Sequence, residues 1–208
     1  MIMDSLNKER QILRDKLLEA SLPHVTFDGW SLKALQAATT DLGIKEGLIY
    51  SVFVDPENEL VKHFSNWADR KMIDHLSELN FETMKIRDRI TKAVRVRLEV
   101  LSDHKEALRR SVLKSSPVDL YNTVDLIWRK AGDKAVDFNF YSKRALLTAV
   151  LSSTTLYWLD DNSEDHTKTW EFLDRRISDV MRIPKIKDKL KTIINLSLRP
   201  IKKKQSSF

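Results

Sequence analysis

The chain has 208 residues and no cysteine, only four glycines and five prolines. No apolar run approaches the ~18 residues needed to cross a bilayer. The absence of cysteine excludes disulfides, thiol catalysis and cysteine metal sites, and is compatible with a reducing compartment. Scarce Gly and Pro, with 32% charged residues, favour long helices and short connections. The first residues, Met1 to Gln11, carry neither an apolar signal core nor an Arg-rich, acid-poor presequence, so the expectation is a protein kept where it is made.

Catalytic constellations are missing too. His24, His63, His75, His104 and His166 are scattered, with no two-His zinc motif and no Glu-x-x-His pair. His63 and His75 share one predicted helix but stand three turns apart, too far to ligate one metal. There is no Gly-rich phosphate loop and no nucleophile elbow. The expectation is therefore no enzyme, no metal and no cofactor. The acids Asp160, Asp161, Glu164 and Asp165 read most simply as a solvated turn and helix N-terminus. The run Lys85, Arg87, Arg89, Lys92, Arg95, Arg97, interleaved with Ile86, Ile90, Val94 and Val96, reads as a solvated helix face, with lipid head groups as the alternative contact.

What is present is charge at one end. From Lys185 to Lys204 there are eight Lys/Arg against one acid, Asp188. Taking these from the 36 basic and 30 acidic residues leaves a body with 28 and 29, which is neutral. Wound as a helix, Ile183, Ile186, Leu190, Ile193, Ile194, Leu198 and Ile201 fall in one arc, with most lysines, Lys191 among them, outside it and Lys187 near its edge. That pattern fits a helix lying in an anionic membrane interface. The competing reading is a helix docked on its own protein with a solvated basic face. Pro184 suits a first turn, and Pro200 ends or bends the helix.

Helical periodicity runs from end to end and no alternating strand stands out. A first helix is expected over Ser5–Ala20, broken by Pro23. Ser31 caps a helix reaching Leu42, Gly43 closes it, and a short helix covers Lys45–Phe53. Asp55-Pro56-Glu57 starts a helix to about Asn80. Further helices are expected over 84–101, 104–114, 118–131, 140–159 and 165–182, before the tail. Val124, Ile127, Trp128, Leu146, Leu147, Val150, Leu151 and Trp158 recur at helical spacing. They either fill a core or, with Leu146 set aside, line a lipid cavity.

Asp41–Phe53, hinged at Gly43 and followed by Glu59-Leu60, resembles the helix-turn-helix region of TetR-type regulators over about forty residues. The charge argues against DNA: residues 25–55 hold Lys33 and Lys45 against Asp28, Asp41, Glu46 and Asp55. No nucleic-acid partner is expected, and a ligand-responsive TetR-type regulator is the alternative.

Ala131-Gly132-Asp133, Asp137-Phe138-Asn139-Phe140-Tyr141-Ser142-Lys143-Arg144, Thr169-Trp170-Glu171-Phe172-Leu173-Asp174-Arg175-Arg176 and Phe27-Asp28-Gly29-Trp30 resemble the accessory lipid-binding protein family of coenzyme Q (ubiquinone) biosynthesis, over roughly residues 10–182. The resemblance implies an all-α, TetR-like homodimer that holds an isoprenoid or quinone lipid. It also implies a C-terminal amphipathic helix lying on the membrane and a di-iron demethoxyubiquinone hydroxylase as partner. The family's partner-contact motif maps to Asp125, Trp128, Asp137, Asn139 and Tyr141. This chain departs at Ile127 and at Phe140, where the family often has Trp; an aromatic contact survives there without the indole N–H. The expected organisation is a helix-turn-helix-like region over 1–56, a lipid-binding and dimerisation domain over 57–182, and a membrane-surface helix and tail over 183–208. The expected location is the inner face of a bacterial membrane, or the mitochondrial matrix face for a processed form. A membrane-bound interaction protein without lipid cargo is a third reading.

Overall fold

The computed structural model describes the backbone of residues 2–79, 81–133 and 138–197, and side-chain surroundings for these except 2, 82, 138–139 and 183–197. Among the described residues every regular element is helical: α1 (Ile2–Asp28), α2 (Leu32–Asp41), α3 (Leu48–Val52), α4 (Pro56–Ser77), α5 (Ile86–Val100), α6 (Lys105–Ser111), α7 (Pro117–Lys130), α8 (Phe138–Asp160) and α9 (Thr167–Ser197), with short 3-10 turns between some of them. The expected all-α bundle is what the chain forms.

Local chemistry sets most boundaries. The Ser31 hydroxyl accepts from the Ala34 N–H at 3.3 Å and starts α2. Gly43, at φ +62°, turns the chain out of it. Ahead of α4 the cap is Glu59 rather than Asp55: its carboxylate accepts from the Val54 and Asp55 N–H groups at 3.0 and 3.1 Å.

Two helices run past a proline that was expected to stop or start them. α1 continues through Pro23 to Asp28. Leu17, Leu18, Leu22 and Val25 are all buried in the core, and that packing outweighs the one backbone bond lost at Pro23. α9 likewise continues through Pro184, so the tail is no separate helix over its described part. The short helix expected from Lys45 begins three residues later, at Leu48, after a turn in which Leu48 and Ile49 N–H donate to the Lys45 and Glu46 carbonyls.

Two further expectations are corrected. Arg97 is not on a solvated face: it is buried and its Nε donates to Asp69 Oδ1 at 2.7 Å. Asp161 is not a solvated turn acid but is buried, accepting from Ser163 N and Oγ at 2.9 and 2.6 Å and from Thr169 N and Oγ1 at 2.9 and 2.6 Å. Burial alone would raise its pKa, but these four bonds hold it well below the usual carboxylate range. It pins the start of α9 to the end of α8.

The core has two parts. One gathers α1, α2 and α3 onto α4 around Trp30, Phe53, Phe64 and Trp158; the other packs α5, α7, α8 and α9 around Met72, Val94, Ile127, Leu147 and Leu173. Val100 and Trp170 touch both. Trp30 stacks obliquely on Phe64, with ring centroids 4.9 Å apart, and donates to the Ala107 carbonyl at 3.0 Å.

His63 is 3% exposed and shares a 2.7 Å hydrogen bond with Asp15. Burial, then the nearby Arg14 charge, pushes its pKa down to about 4, against the pull of Asp15. Because the folded value lies below the unfolded 6.5, the stability from neutral His63 is complete above pH 6.5 and is lost as the pH falls toward 4. Two outcomes are expected from denaturant unfolding. Stability should fall across that pH window by up to about 1.4 kcal/mol per pH unit from this site, and His63→Gln should flatten the fall. Trp30→Phe, which strands the Ala107 carbonyl, should cost about 1–3 kcal/mol, and Trp30→Ala about 3–5 kcal/mol.

Candidate functional site

α4, α5, the start of α7 and the middle of α8 do not close completely on one another. They enclose a cavity of about 280 Å³. Its apolar wall comes from Val61, Phe64 and Ala68 of α4, Leu101 just after α5, Leu108 of α6 and Leu151 of α8. Exposure of the lining residues locates the opening. Val112, Ser115, Pro117 and Leu156 are exposed, whereas those of α4 and α5, Ser65 apart, are buried. The mouth therefore lies between the α6–α7 connection and the outer face of α8. Next in sequence to the lining residues Val112 and Pro117 come Leu113, 96% exposed, and Val118, 64% exposed. The cations of this segment are engaged within the protein, Lys105 with the Trp158 and Asp161 carbonyls, Arg109 with Asp160, Arg110 with Glu106 and Lys114 with the Trp30 carbonyl.

The inner end is polar. Arg97 Nε bonds Asp69, and Nη2 donates to Ser65 Oγ at 3.1 Å. The Thr123 hydroxyl donates to the second Asp69 oxygen at 2.8 Å. Arg97, Ser65, Thr123 and Asp119 all line the cavity.

Of the seven residues expected to line a lipid cavity, Leu151 lines this cavity. Val124, Ile127, Trp128, Leu147 and Val150 pack together in one part of the core, and Trp158 sits in the other. Their helical spacing marked a buried face correctly, but the open space lies one face over. The α4 and α5 walls went unread. The available signal was polar residues breaking apolar helical stripes: Ser65 beside Phe64, Asp119 and Thr123 on α7, Ser152 and Thr155 on α8.

The residues matched to a partner contact split by role. Asp137 lies outside the described residues, and so does the side chain of Asn139. Tyr141 is 67% exposed and meets Phe140 edge-on, with ring centroids 5.1 Å apart. Phe140 is half-buried, its ring covered by the Arg144 guanidinium at 3.3 Å. Asp125 is engaged internally, by Arg144 Nε and Arg129 Nε at 2.6 Å each. Trp128 is buried and donates to the Lys143 carbonyl at 3.2 Å. Arg144, 2% exposed, also reaches Asp133 at 3.2 Å, and Lys143 meets Asp133 at 2.7 Å. Asp125 and Trp128 thus hold α8 against α7 while Tyr141 is displayed.

Of the membrane-surface residues, Ile186, Lys187, Leu190, Lys191, Ile193 and Ile194 fall on α9, with side chains outside the described set, and Leu198 lies beyond the described residues. In the helix-turn-helix-like region the charges are largely spent internally: Lys33 pairs with Asp28 and His24 with Asp41, each at 2.6 Å. Among the described residues no group of His, Asp or Glu could hold a metal, and no helix is long and apolar enough to cross a membrane.

The family model described as COQ9 matches residues 113–184, from the α6–α7 connection into α9. The mitochondrial ubiquinone biosynthesis protein COQ9 of Homo sapiens is 30% identical over 186 residues, covering 82% of this chain and 58% of that protein. The Bos taurus protein of the same name is 31% identical over 186 residues, with the same coverage. This chain spans less than two-thirds of the length of the curated relatives it matches. A crystal structure of a TetR transcriptional regulator from Nitrosomonas europaea superposes with TM-score 0.65 at 18% identity, over 81% of this chain and 98% of that one. The fold is therefore TetR-like, and the resemblance to the ubiquinone-biosynthesis family holds.

Arg144 carries the α7–α8 face. Arg144→Met, which leaves Asp125 and Asp133 short of their buried partner, should cost about 3–5 kcal/mol in denaturant unfolding. Arg129→Met, at a side chain 71% exposed, should cost under about 1 kcal/mol.

Proposed function

We propose that this chain, a relative of the ubiquinone biosynthesis proteins named COQ9, is itself a ubiquinone-biosynthesis accessory protein. It binds an isoprenoid or quinone lipid, without catalysing a reaction on it, and works as a homodimer at an anionic membrane surface. The observation that carries this reading is the cavity, walled by Val61, Phe64, Ala68, Leu101, Leu108 and Leu151 and open between exposed Val112, Pro117 and Leu156. Such a rim suits transfer from a bilayer, since its apolar side chains can meet acyl chains. The basic amphipathic pattern of 185–204 supplies a second contact.

Delivery then falls to the α7–α8 face, where Tyr141 stands clear and Phe140 is steadied by Arg144. The partner on this reading is the di-iron demethoxyubiquinone hydroxylase, which needs an insoluble substrate brought to it. Relatives named as mitochondrial favour the matrix face over a bacterial membrane as the working location.

A second reading, a ligand-responsive DNA-binding regulator, has the TetR-like fold in its favour. Its weakness is electrostatic. α3 is five residues long and carries no Arg or Lys, so it offers little to phosphate or base edges.

Native mass spectrometry with lipid extraction, on the full chain and on a chain ending at Ile183, separates these readings. A co-purifying isoprenoid or quinone is expected, with binding to anionic vesicles reduced at least tenfold by the truncation. Thr155→Trp, at the cavity wall, should abolish lipid retention while leaving the thermal midpoint nearly unchanged. Salt-sensitive duplex binding without any lipid would overturn the proposal in favour of the regulator.

A further inference from the structure

The helix-turn-helix-like region is a motif that the lipid reading leaves without a task. Ile49, Val52 and Phe53 are buried, so α3 turns its other side to solvent. That side shows Leu48 and Tyr50, both exposed. Val54, 83% exposed, follows just beyond the helix, and exposed Leu42 precedes the turn that leads to it. α3 is only about 7.5 Å long, so Leu48, Tyr50 and Val54 lie within one small patch.

The charge around this patch is mostly of one sign. Residues 41–58 carry Asp41, Glu46, Asp55 and Glu57, all exposed, against the single cation Lys45. Glu46 accepts from the Gln36 amide at 2.7 Å, Glu57 from the Leu32 N–H at 3.3 Å and Asp55 from the Asn58 amide at 2.7 Å. Asp41 meets the His24 ring. Among the described residues no Lys or Arg pairs with any of the four. Arg10 adds one cation nearby, bound through Nη2 to the Val52 carbonyl at 3.0 Å.

The base under the patch is fixed. Phe53 carries the Arg14 guanidinium 4.5 Å over its ring and meets His63 edge-on, while Glu59 holds the Val54 and Asp55 N–H groups. The exposed side chains are therefore presented by backbone that needs no ordering on contact, which lowers the cost of binding. Exposed apolar clusters rimmed by polar residues mark interaction surfaces, and here the rim selects the partner. Nucleic acid and anionic bilayers both meet repulsion from the four carboxylates. A cationic surface meets attraction, and Tyr is among the side chains that most often anchor protein interfaces.

From this complementarity we propose that the α2–α3 face docks a basic amphipathic helix of a partner protein. The apolar stripe of that helix lies on Leu48, Tyr50 and Val54, and its Lys or Arg side chains meet Glu46, Asp55 and Glu57. None of these residues lines the cavity, so the docking stands apart from the lipid reading.

The test titrates the full chain into a fluorescein-labelled synthetic Leu/Lys amphipathic helix, read by anisotropy, with a Leu/Glu helix of the same pattern as control. The wild type should bind the Leu/Lys helix at least tenfold more tightly, and added salt should weaken that binding. Tyr50→Ser combined with Val54→Ser should weaken it at least fivefold. Glu46→Gln combined with Glu57→Gln should weaken it and flatten its salt dependence. Leu113→Ser, at an exposed apolar residue outside this face, should leave it unchanged. Thermal melts verify folding, and the glutamine pair carries the test if the serine pair unfolds. Equal binding of the two helices, or none, overturns the proposal and leaves the lipid reading intact, as does binding that survives the face variants. Binding lost in Leu113→Ser places the peptide at the cavity mouth and overturns it too. A sedimentation coefficient of the full chain that rises with concentration, and no longer does so in Tyr50→Ser, assigns the face to a second copy and overturns the partner protein.

Discussion

Much of this molecule is arranged around the buried pair of Arg97 and Asp69. It joins α5 to α4, and through Thr123 it takes in α7, so three helices meet at one carboxylate. Two apolar side chains of similar volume would hold the same helices at no desolvation cost, and buried ion pairs are often no better than such replacements. What the pair provides is geometry. A carboxylate with both oxygens committed, one to Nε and one to the Thr123 hydroxyl, permits one register of α4, α5 and α7. The helices it joins are then too fixed to collapse onto the space above it, and that space is the cavity.

The α7–α8 face repeats this logic nearer the surface. Arg144 is almost wholly buried and meets two carboxylates, Asp125 and Asp133, while its guanidinium plane lies on Phe140. The cation there is both charge partner and packing surface, a double use for which Arg is suited and Lys is not. Phe140, where the resembled family often has Trp, keeps this stacking, because the stack needs a π face rather than an indole donor. The helix-turn-helix-like region shows the opposite balance. Its fold persists because α1 buries Leu17, Leu18, Leu22 and Val25 and Trp30 reaches Ala107, while Lys33 pairs with Asp28 and His24 with Asp41. The region is held by the core.

Helices were legible because the 3.6-residue period and local punctuation (Ser31, Gly43, Pro56, Ser116-Pro117) are properties of neighbours in sequence. Depth was not. Arg97 and Asp161 looked like members of exposed charge runs, and what buries them comes from elsewhere: Asp69 is 28 residues before Arg97, and the Thr169 that satisfies Asp161 belongs to the next helix. Pro23 and Pro184 failed as boundaries for a related reason, since one lost backbone bond is small beside the packing of a long helix. The place of the cavity is hidden from the sequence for the same reason. Val124, Ile127 and Trp128 were recognised as a buried face, but whether a face meets side chains or space depends on α4 and α5, about 30 to 60 residues upstream. The polar interruptions at Asp119, Thr123 and Ser152 were the better guide.

The continuity of α9 constrains how any tail contact could reach the cavity. At 1.5 Å per residue, its 31 residues form a rod of about 46 Å with no loop between its first turn and Ser197. That first turn is locked to α8 by Asp161, which bonds Ser163 and Thr169, and buried Leu173 and Ile177 keep the next turns on the body. A tail joined by a loop could dock on a bilayer while the body tumbled freely. A tail that continues a clamped helix cannot, because fixing its orientation also fixes the direction of α8 and so of the cavity mouth beside Leu156. On the proposed reading Pro184 matters for this reason: it lies where a hinge would be expected, and the helix runs through it. Membrane attachment would then orient the mouth as well as raise its local concentration. Orientation is the more useful of the two effects, since a lipid leaving the bilayer must enter by one opening.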